Sequence, residues 1–140
     1  MVSSLSRKLQ FLAVGALAMS ALAASPALAG TKACPTCQCS VTPNPVVYAL
    51  PYVVSGSGFK PGIVVNVYVK DKISTWIANG TLVNPLTGQP VGLVAADGTF
   101  RMLMNSYVYY PSNLGTKNVS IVNAYDRRAT TLALCTFSVQ

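Results

Sequence analysis

The chain has 140 residues and a net charge of +7, from ten Lys and Arg against three acidic residues, and it contains no His. The acidic residues are Asp71, Asp97 and Asp126, so Glu is absent too. His and paired carboxylates carry most enzymatic proton transfer, and carboxylates supply most calcium ligands. This composition argues against an enzyme, a metal site or a bound cofactor, and it favours a protein that binds, coats or connects.

Residues 1–29 have the pattern of a cleavable secretory signal peptide. A basic pair opens the segment, residues 11–24 form an apolar run, and Ala27 and Ala29 are the small residues of a cleavage site. A membrane anchor is the alternative, but the run is short for a span of roughly 20 residues. We therefore expect cleavage after Ala29, no membrane span in the mature chain, and a secreted or cell-surface location.

Cleavage would leave 111 residues, the size of one domain, with eight Lys and Arg against the three aspartates. The cations are scattered, and only Lys70 with Lys72 and Arg127 with Arg128 lie close together in the sequence. Nucleic-acid binding, which needs a basic stripe, is therefore not predicted. A mild attraction to anionic surface polymers fits this charge, and solubility alone also explains it.

Residues 30–50 form a segment rich in Cys, Pro and Thr, ahead of the main domain at residues 51–140. The prolines of this segment exclude a helix, and one short strand is predicted over residues 38–42. The segment also carries three of the four cysteines.

The four cysteines, Cys34, Cys37, Cys39 and Cys135, are the most distinctive set of reactive groups in the chain. In an exported chain an even number of cysteines favours disulfides, and a zinc site made of four thiolates is the less favoured alternative. A direct bridge from Cys37 to Cys39 is strained, so Cys135 pairs with a member of the cluster. We favour Cys39–Cys135 with Cys34–Cys37, and Cys37–Cys135 with Cys34–Cys39 is the close second.

From Tyr52 onward, short β-branched and aromatic runs alternate with Gly, Pro, Asn and Asp. Alternation of apolar and polar residues is visible over residues 65–70 and 119–123, and no window has a helical stripe. Such runs predict one antiparallel β-sandwich of about seven strands. The predicted strands are 52–55, 63–70, 75–78, 91–95, 99–105, 117–125 and 130–139.

Two turns and a long loop separate these runs. Pro61 and Gly62 fit a type II turn, and Ala96-Asp97-Gly98 fits a tight hairpin turn. Residues 79–90 form a long loop, with or without a small hairpin, and are the candidate place for a functional insertion.

Alternation of apolar and polar residues with a period of two identifies the core candidates, and the three aspartates are not among them. Asp97 belongs to its turn, and Asp71 and Asp126 lie at strand ends beside Lys and Arg, where solvated charge pairs are expected. The core candidates are apolar residues of the predicted strands. They are Val54, Val65, Val67, Val69, Phe100, Met102, Val119, Ile121, Leu134 and Phe137.

The turn motifs resemble those of a known family. The segment Gly56-Ser57-Gly58-Phe59-Lys60-Pro61-Gly62, the alternating residues 65–69 and the later Ala96-Asp97-Gly98-Thr99-Phe100 resemble small bacterial Ig-like domains, which include the IPT/TIG and neocarzinostatin-like sandwiches. The resemblance covers residues 46–140. It implies an Ig-like fold and a bacterial source, but turn motifs specify fold better than function.

Four aromatic residues are the candidate binding residues. Trp76, the only tryptophan, is expected to fill the core, and a stacking platform for a sugar is the alternative. Alternation places Tyr107 and Tyr109 on one face and Tyr110 on the other, so at least one ring is expected at the surface. Such amphipathic rings suit binding interfaces, and filling of an edge strand is the other interpretation.

Together these features predict a secreted or cell-surface Ig-like module without enzymatic activity. The first hypothesis is a structural or adhesive role, in which Tyr107–Tyr110 and residues 79–90 contact an extracellular protein, a surface polymer or a second copy of the chain. The second is a small-ligand or carbohydrate binder that uses Trp76 and the tyrosines within a cleft. Convergence of Trp76, Tyr107 and Tyr110 on one concave surface would favour the second.

Overall fold

The computed structural model describes residues 33–72, 74–104 and 114–140. Within these ranges the chain forms seven β-strands and no helix, so the expected all-β fold is confirmed. The described part thus has no helical segment with the length and apolarity that a membrane crossing requires. The strands are β1 (Gln38–Thr42), β2 (Tyr52–Ser57), β3 (Val65–Lys70), β4 (Thr75–Ala78), β5 (Phe100–Met104), β6 (Gly115–Asn123) and β7 (Thr131–Val139).

The strands form two antiparallel sheets, with the order β1-β2-β5 in one and β4-β3-β6-β7 in the other. Alternate side chains of both sheets, such as Val54 of β2, Val67 of β3 and Ile121 of β6, are completely buried in one shared core. Full burial of such a side chain contributes about 1.5–3 kcal/mol to the free energy of unfolding. Two sheets around one core are consistent with the expected β-sandwich.

The buried faces of the strands match the expected core at nine of ten positions. The exception is Leu134, which is 45% exposed, so its assignment to the core is wrong. Leu134 lies opposite Ser120 on the outer face, whereas its neighbour Ala133 lies opposite Ile121 and is fully buried. Phe137 is three positions from Leu134, so a pleated strand cannot turn both side chains inward. The nine confirmed residues are Val54, Val65, Val67, Val69, Phe100, Met102, Val119, Ile121 and Phe137.

The expected strand at residues 91–95 is wrong. These residues instead run irregularly beside the start of β3, where the Val65 amide donates a hydrogen bond to the Gly92 carbonyl at 2.9 Å. Gly80 and Gly92 lie so close to the Val65 carbonyl oxygen that a methyl group on either would collide with it. Glycine is required for this close approach, and its presence weakens a regular strand.

Residues 79–90 contain a small hairpin, which was one of the two forms expected for this segment. Val83 bridges Pro90, and the Asn84 amide donates to the Gln89 carbonyl at 2.8 Å. The hairpin lies between β4 and the irregular stretch beside β3. The hairpin therefore continues the chain directly from the end of β4.

The two expected turns are present. Gly62 and Gly98 have positive φ angles of 81° and 80°, which glycine adopts without strain. The Asp97 carboxylate accepts hydrogen bonds from the hydroxyl and the backbone amide of Thr99, at 2.7 and 3.0 Å. These bonds favour the charged form and lower the pKa of Asp97, so this aspartate serves its turn, as expected.

One side of the sandwich, here called the closed side, joins β1 to β7. Cys39 of β1 is bonded to Cys135 of β7, and Cys34 is bonded to Cys37. This is the pairing that the spacing favoured, and it uses all four cysteines. The first strand is thus linked covalently to the last.

The chain between β1 and β2 covers the outer edge of β7 on the same side. Val46 runs parallel to Val139: its amide donates to the Ser138 carbonyl at 2.8 Å, and its carbonyl accepts from the Gln140 amide at 3.0 Å. The Val46 side chain is fully buried in the core. The C-terminal end of the β7 edge is thereby paired, which protects this end from pairing with another chain.

Candidate functional site

The side opposite the Cys39–Cys135 bond, here called the open side, is formed by the outer edges of β4 and β5. Both strands are short, with four and five residues, and no further strand of the described chain pairs with either edge. A groove of about 880 Å³ lies between them, within the size range of small-molecule sites. Its lining comprises residues 75–78 of β4, residues 101–104 of β5, and Asn79, Leu82, Asn84 and Val91.

Trp76 connects this groove with the core. It lies on β4 opposite Val69 of β3, is partly buried against the core, and also lines the groove. The Nζ atom of Lys117 lies 5.8 Å from the centroid of its ring, within the range of a cation–π contact. Trp76 thus has features of both interpretations made from the sequence, because it contacts the core and lines a concave surface.

A buried ion pair, missed in the sequence, lies beside Trp76. Lys117 on β6 is only 2% exposed, and its Nζ lies 3.3 Å from Oδ2 of Asp71, just after β3. Asp71 also accepts a hydrogen bond from the Ser74 amide at 2.6 Å, so the expectation of a solvated charge at this strand end is wrong. The sequence contains the evidence for this burial: Lys117 lies two positions before Val119 in β6, so both side chains are on the same buried face.

The polar side chains of the groove mainly offer hydrogen-bond donors. Arg101 on β5 is exposed, and among the described residues it is the only charged one of the lining and forms no ion pair. The side-chain oxygen of Asn79 accepts from the amide and hydroxyl of Thr81 at 3.0 and 2.6 Å, and that of Asn84 accepts from the Leu86 amide at 2.9 Å. Each asparagine therefore keeps its NH2 group as a donor.

Exposed apolar side chains belong to the same open side. Ile77 on β4 is 58% exposed, Leu103 on β5 is 69% exposed, and Leu82 on the hairpin is 62% exposed, and all three line the groove. The hairpin tip adds Leu86, which is 93% exposed. Apolar side chains gathered at one concave surface are typical of a site that binds a ligand or a partner.

Tyr107, Tyr109 and Tyr110 lie outside the described residues, so their expected role in binding stays a prediction. In the sequence they follow Met104, which ends β5 and lines the groove. Among the aromatic residues singled out from the sequence, Trp76 is the one that falls within the described ranges.

The titratable groups with altered pKa values belong to turns and core rather than to the groove. Donation by the backbone amide of Arg128 and by Thr130 lowers the pKa of Asp126, which therefore organises its own turn. Burial raises the pKa of Tyr52 to about 12, and its ring centroid lies 5.0 Å from that of Phe137 in the core. The groove itself has no acidic residue in its lining.

Within the described ranges, no group of three or more Cys and Asp side chains is placed to hold a metal ion. Comparison with known proteins gave no match to a family model, to a curated protein or to a solved structure. The Ig-like resemblance therefore depends on the turn motifs of the sequence.

Proposed function

We propose that the protein is an exported Ig-like binding module whose groove between β4 and β5 holds a small ligand. The signal pattern of residues 1–29 and the two disulfides support export, because disulfides persist in oxidising compartments. The strand order supports the Ig-like assignment. The strand β4 pairs with β3 in the sheet of β6 and β7, as the C′ strand joins the sheet of strands C, F and G in variable-type Ig domains.

The position of Trp76 in an open and mostly apolar groove carries this proposal. Eight of the twelve lining residues are apolar, and small-ligand sites combine such a lining with a few polar groups that fix orientation. Arg101 and Asn79 are polar groups of this kind. The buried pair of Lys117 and Asp71 holds the indole in place before a ligand arrives, which lowers the entropic cost of binding.

Binding is tested with a panel of small apolar compounds and oligosaccharides, followed through the fluorescence of the single tryptophan. A ligand in the groove should shift the emission of Trp76 in a saturable way. The Trp76→Leu variant should bind about tenfold more weakly in calorimetry, because the aromatic contact is lost. The matched control is Tyr125→Leu, an aromatic residue that is 70% exposed outside the groove. A folded protein that binds no compound of the panel, or unchanged affinity in Trp76→Leu, contradicts the proposal.

A structural or adhesive role at the cell surface is the second candidate, supported by the exposed apolar side chains of the open side. Ile77 and Leu103 would contact an extracellular protein, a surface polymer or a second copy of the chain. Replacing both by Ser should then lower attachment to isolated cell envelopes, or self-association in sedimentation, with little change in the unfolding midpoint. The control pair is Val47→Ser with Leu134→Ser, which are exposed outside the groove.

The tyrosine segment gives an independent test of the adhesive role. Replacing Tyr107, Tyr109 and Tyr110 by Ser is expected to weaken attachment or assembly without unfolding the sandwich. Attachment that persists in a folded triple variant would place the contact elsewhere on the surface.

A further inference from the structure

The apolar part of the groove has side chains that suit a flexible hydrocarbon chain. Ile77 of β4, Leu103 of β5 and Leu82 of the hairpin expose their aliphatic side chains there, and the partly buried Trp76 lies beside them, whereas Met102 and Met104 belong to the core. Each methylene group that leaves water for this surface adds to the affinity. The groove is therefore suited to an alkyl chain.

The polar part of the groove distinguishes among ligands that carry such a chain. The guanidinium of Arg101 is unpaired among the described residues and can hold a carboxylate through two parallel hydrogen bonds. The side-chain oxygens of Asn79 and Asn84 already accept hydrogen bonds from their own loop, which leaves donors for a ligand. A carboxylate can accept from these donors and neutralises the guanidinium, which a neutral sugar does not, and a cationic head group would be repelled by Arg101. The donors favour an anion.

From this combination we infer that the groove binds an anionic amphiphile, an unbranched alkyl chain that ends in a carboxylate. The inference rests on the proposed function, because it names the ligand class of the same groove. The chain lies along Ile77, Leu103 and Trp76, and the carboxylate pairs with Arg101. The excess of Lys and Arg over aspartate that remains after cleavage, eight against three, attracts such a ligand from a distance.

Three compounds with the same alkyl chain test the choice of head group. The purified, disulfide-bonded protein is titrated with decanoate, 1-decanol and decylamine, each below its aggregation limit, and Trp76 emission is recorded. Decanoate should give a saturable blue shift and bind about tenfold more tightly than 1-decanol, with decylamine the weakest. Equal affinities of decanoate and 1-decanol would overturn the inference, because the groove would then select for apolarity alone.

The Arg101→Gln variant separates the charge from the apolar contact. It should lose about tenfold in decanoate affinity and keep the affinity for 1-decanol, while Arg127→Gln, outside the groove, should change neither. Equal decanoate affinity in the two variants overturns the assignment. If 1-decanol or an oligosaccharide shifts the emission and decanoate does not, the ligand class is wrong and the binding groove stands. If no compound binds to the folded protein, both the ligand class and the binding groove are wrong.

Discussion

The outer strands of the sandwich are joined to each other on the closed side and lie apart on the open side. Each side is made of two outer strands, and the outer edge of such a strand carries backbone groups that its own sheet does not pair. On the closed side, the Cys39–Cys135 bond joins the strands, and Val46 pairs with β7. On the open side, the described chain adds no strand to β4 or β5, and a groove lies between them.

This difference shows how a small domain can separate stability from binding. Covalent and backbone contacts on the closed side hold the two sheets together, so the open side can leave its edges apart. Regions with fewer packed contacts open more easily and are the usual place for ligands. We therefore expect substitutions on the closed side to change mainly the free energy of unfolding, and those on the open side to change mainly binding.

Removing the Cys39–Cys135 bond should cause the largest loss of stability. This bond spans a sequence separation of 96, whereas Cys34–Cys37 spans only 3. The chain-entropy model gives about 4–5 kcal/mol for the long loop and about 2 kcal/mol for the short one. Urea unfolding of the two double-Ala variants, followed by tryptophan fluorescence, measures both losses. Equal losses would contradict the special role of the closed side.

Breaking the ion pair between Lys117 and Asp71 should cause the next largest loss of stability, and it should also weaken binding in the groove. Lys117→Met removes the cation that lies 3.3 Å from the buried Asp71 carboxylate, which should lower the free energy of unfolding by about 3 kcal/mol. We expect the lower part of the usual range because Asp71 keeps its bond from Ser74. The measurement is urea unfolding, with exposed Lys72→Met as the control.

The double variant Lys117→Met with Asp71→Leu sharpens this prediction. Because it removes both charges together, it should recover most of the lost stability. It should still bind groove ligands more weakly than the wild type, since the cation beside the Trp76 ring is gone. A double variant as unstable as Lys117→Met alone would show that lost packing, rather than the loss of the Lys117 charge beside Asp71, causes the instability.

High pH should weaken the core through Tyr52. Its pKa is raised from 10.0 to about 12 in the folded protein, so the folded state keeps a proton that the unfolded state loses in this range. The contribution is complete below pH 10 and should be lost as the pH rises towards 12, with a total of about 2–3 kcal/mol. Urea midpoints at pH 9, 10 and 11 measure this slope. The Tyr52→Phe variant should flatten it, and an identical slope would assign the loss to other groups.

The smallest effect on stability is expected on the open side. Leu103 is 69% exposed on the outer face of β5, so Leu103→Ser should change the free energy of unfolding by less than about 0.5 kcal/mol. It should nevertheless reduce binding in the groove, which this side chain lines. A large loss of stability in this variant would mean that the open side also supports the fold.

Features that depend on local alternation could be predicted from the sequence. The predicted limits of β1 match the observed ones, and nine core residues follow from the alternation of apolar and polar residues with a period of two. The cysteine spacing favoured the pairing that forms. The assignment of Leu134 to the core is wrong because it gives residue type more weight than alternation, and the burial of Lys117, which follows the alternation of its own strand, was not predicted.

Features that depend on the meeting of distant segments could not be predicted in the same way. The groove exists because β4 and β5 lie at the same side of two different sheets, and no local pattern shows this arrangement. The irregular stretch at residues 91–95 is set by the approach of Gly92 to the Val65 carbonyl, which is again a tertiary contact. The sequence identifies Trp76 as a candidate residue, but it does not show that the side chain contacts the core and also lines the groove.

The Cys39–Cys135 bond also has a mechanical consequence. A pulling force applied to the chain before Cys39 and after Cys135 passes directly from one cysteine to the other through the bond, and the chain between them, which spans a sequence separation of 96, carries almost no tension. The strands β2 to β6 all lie within that span, so stretching the termini does not peel the sheets apart. A domain that is fixed at one end and loaded at the other would therefore keep its groove in shape under strain.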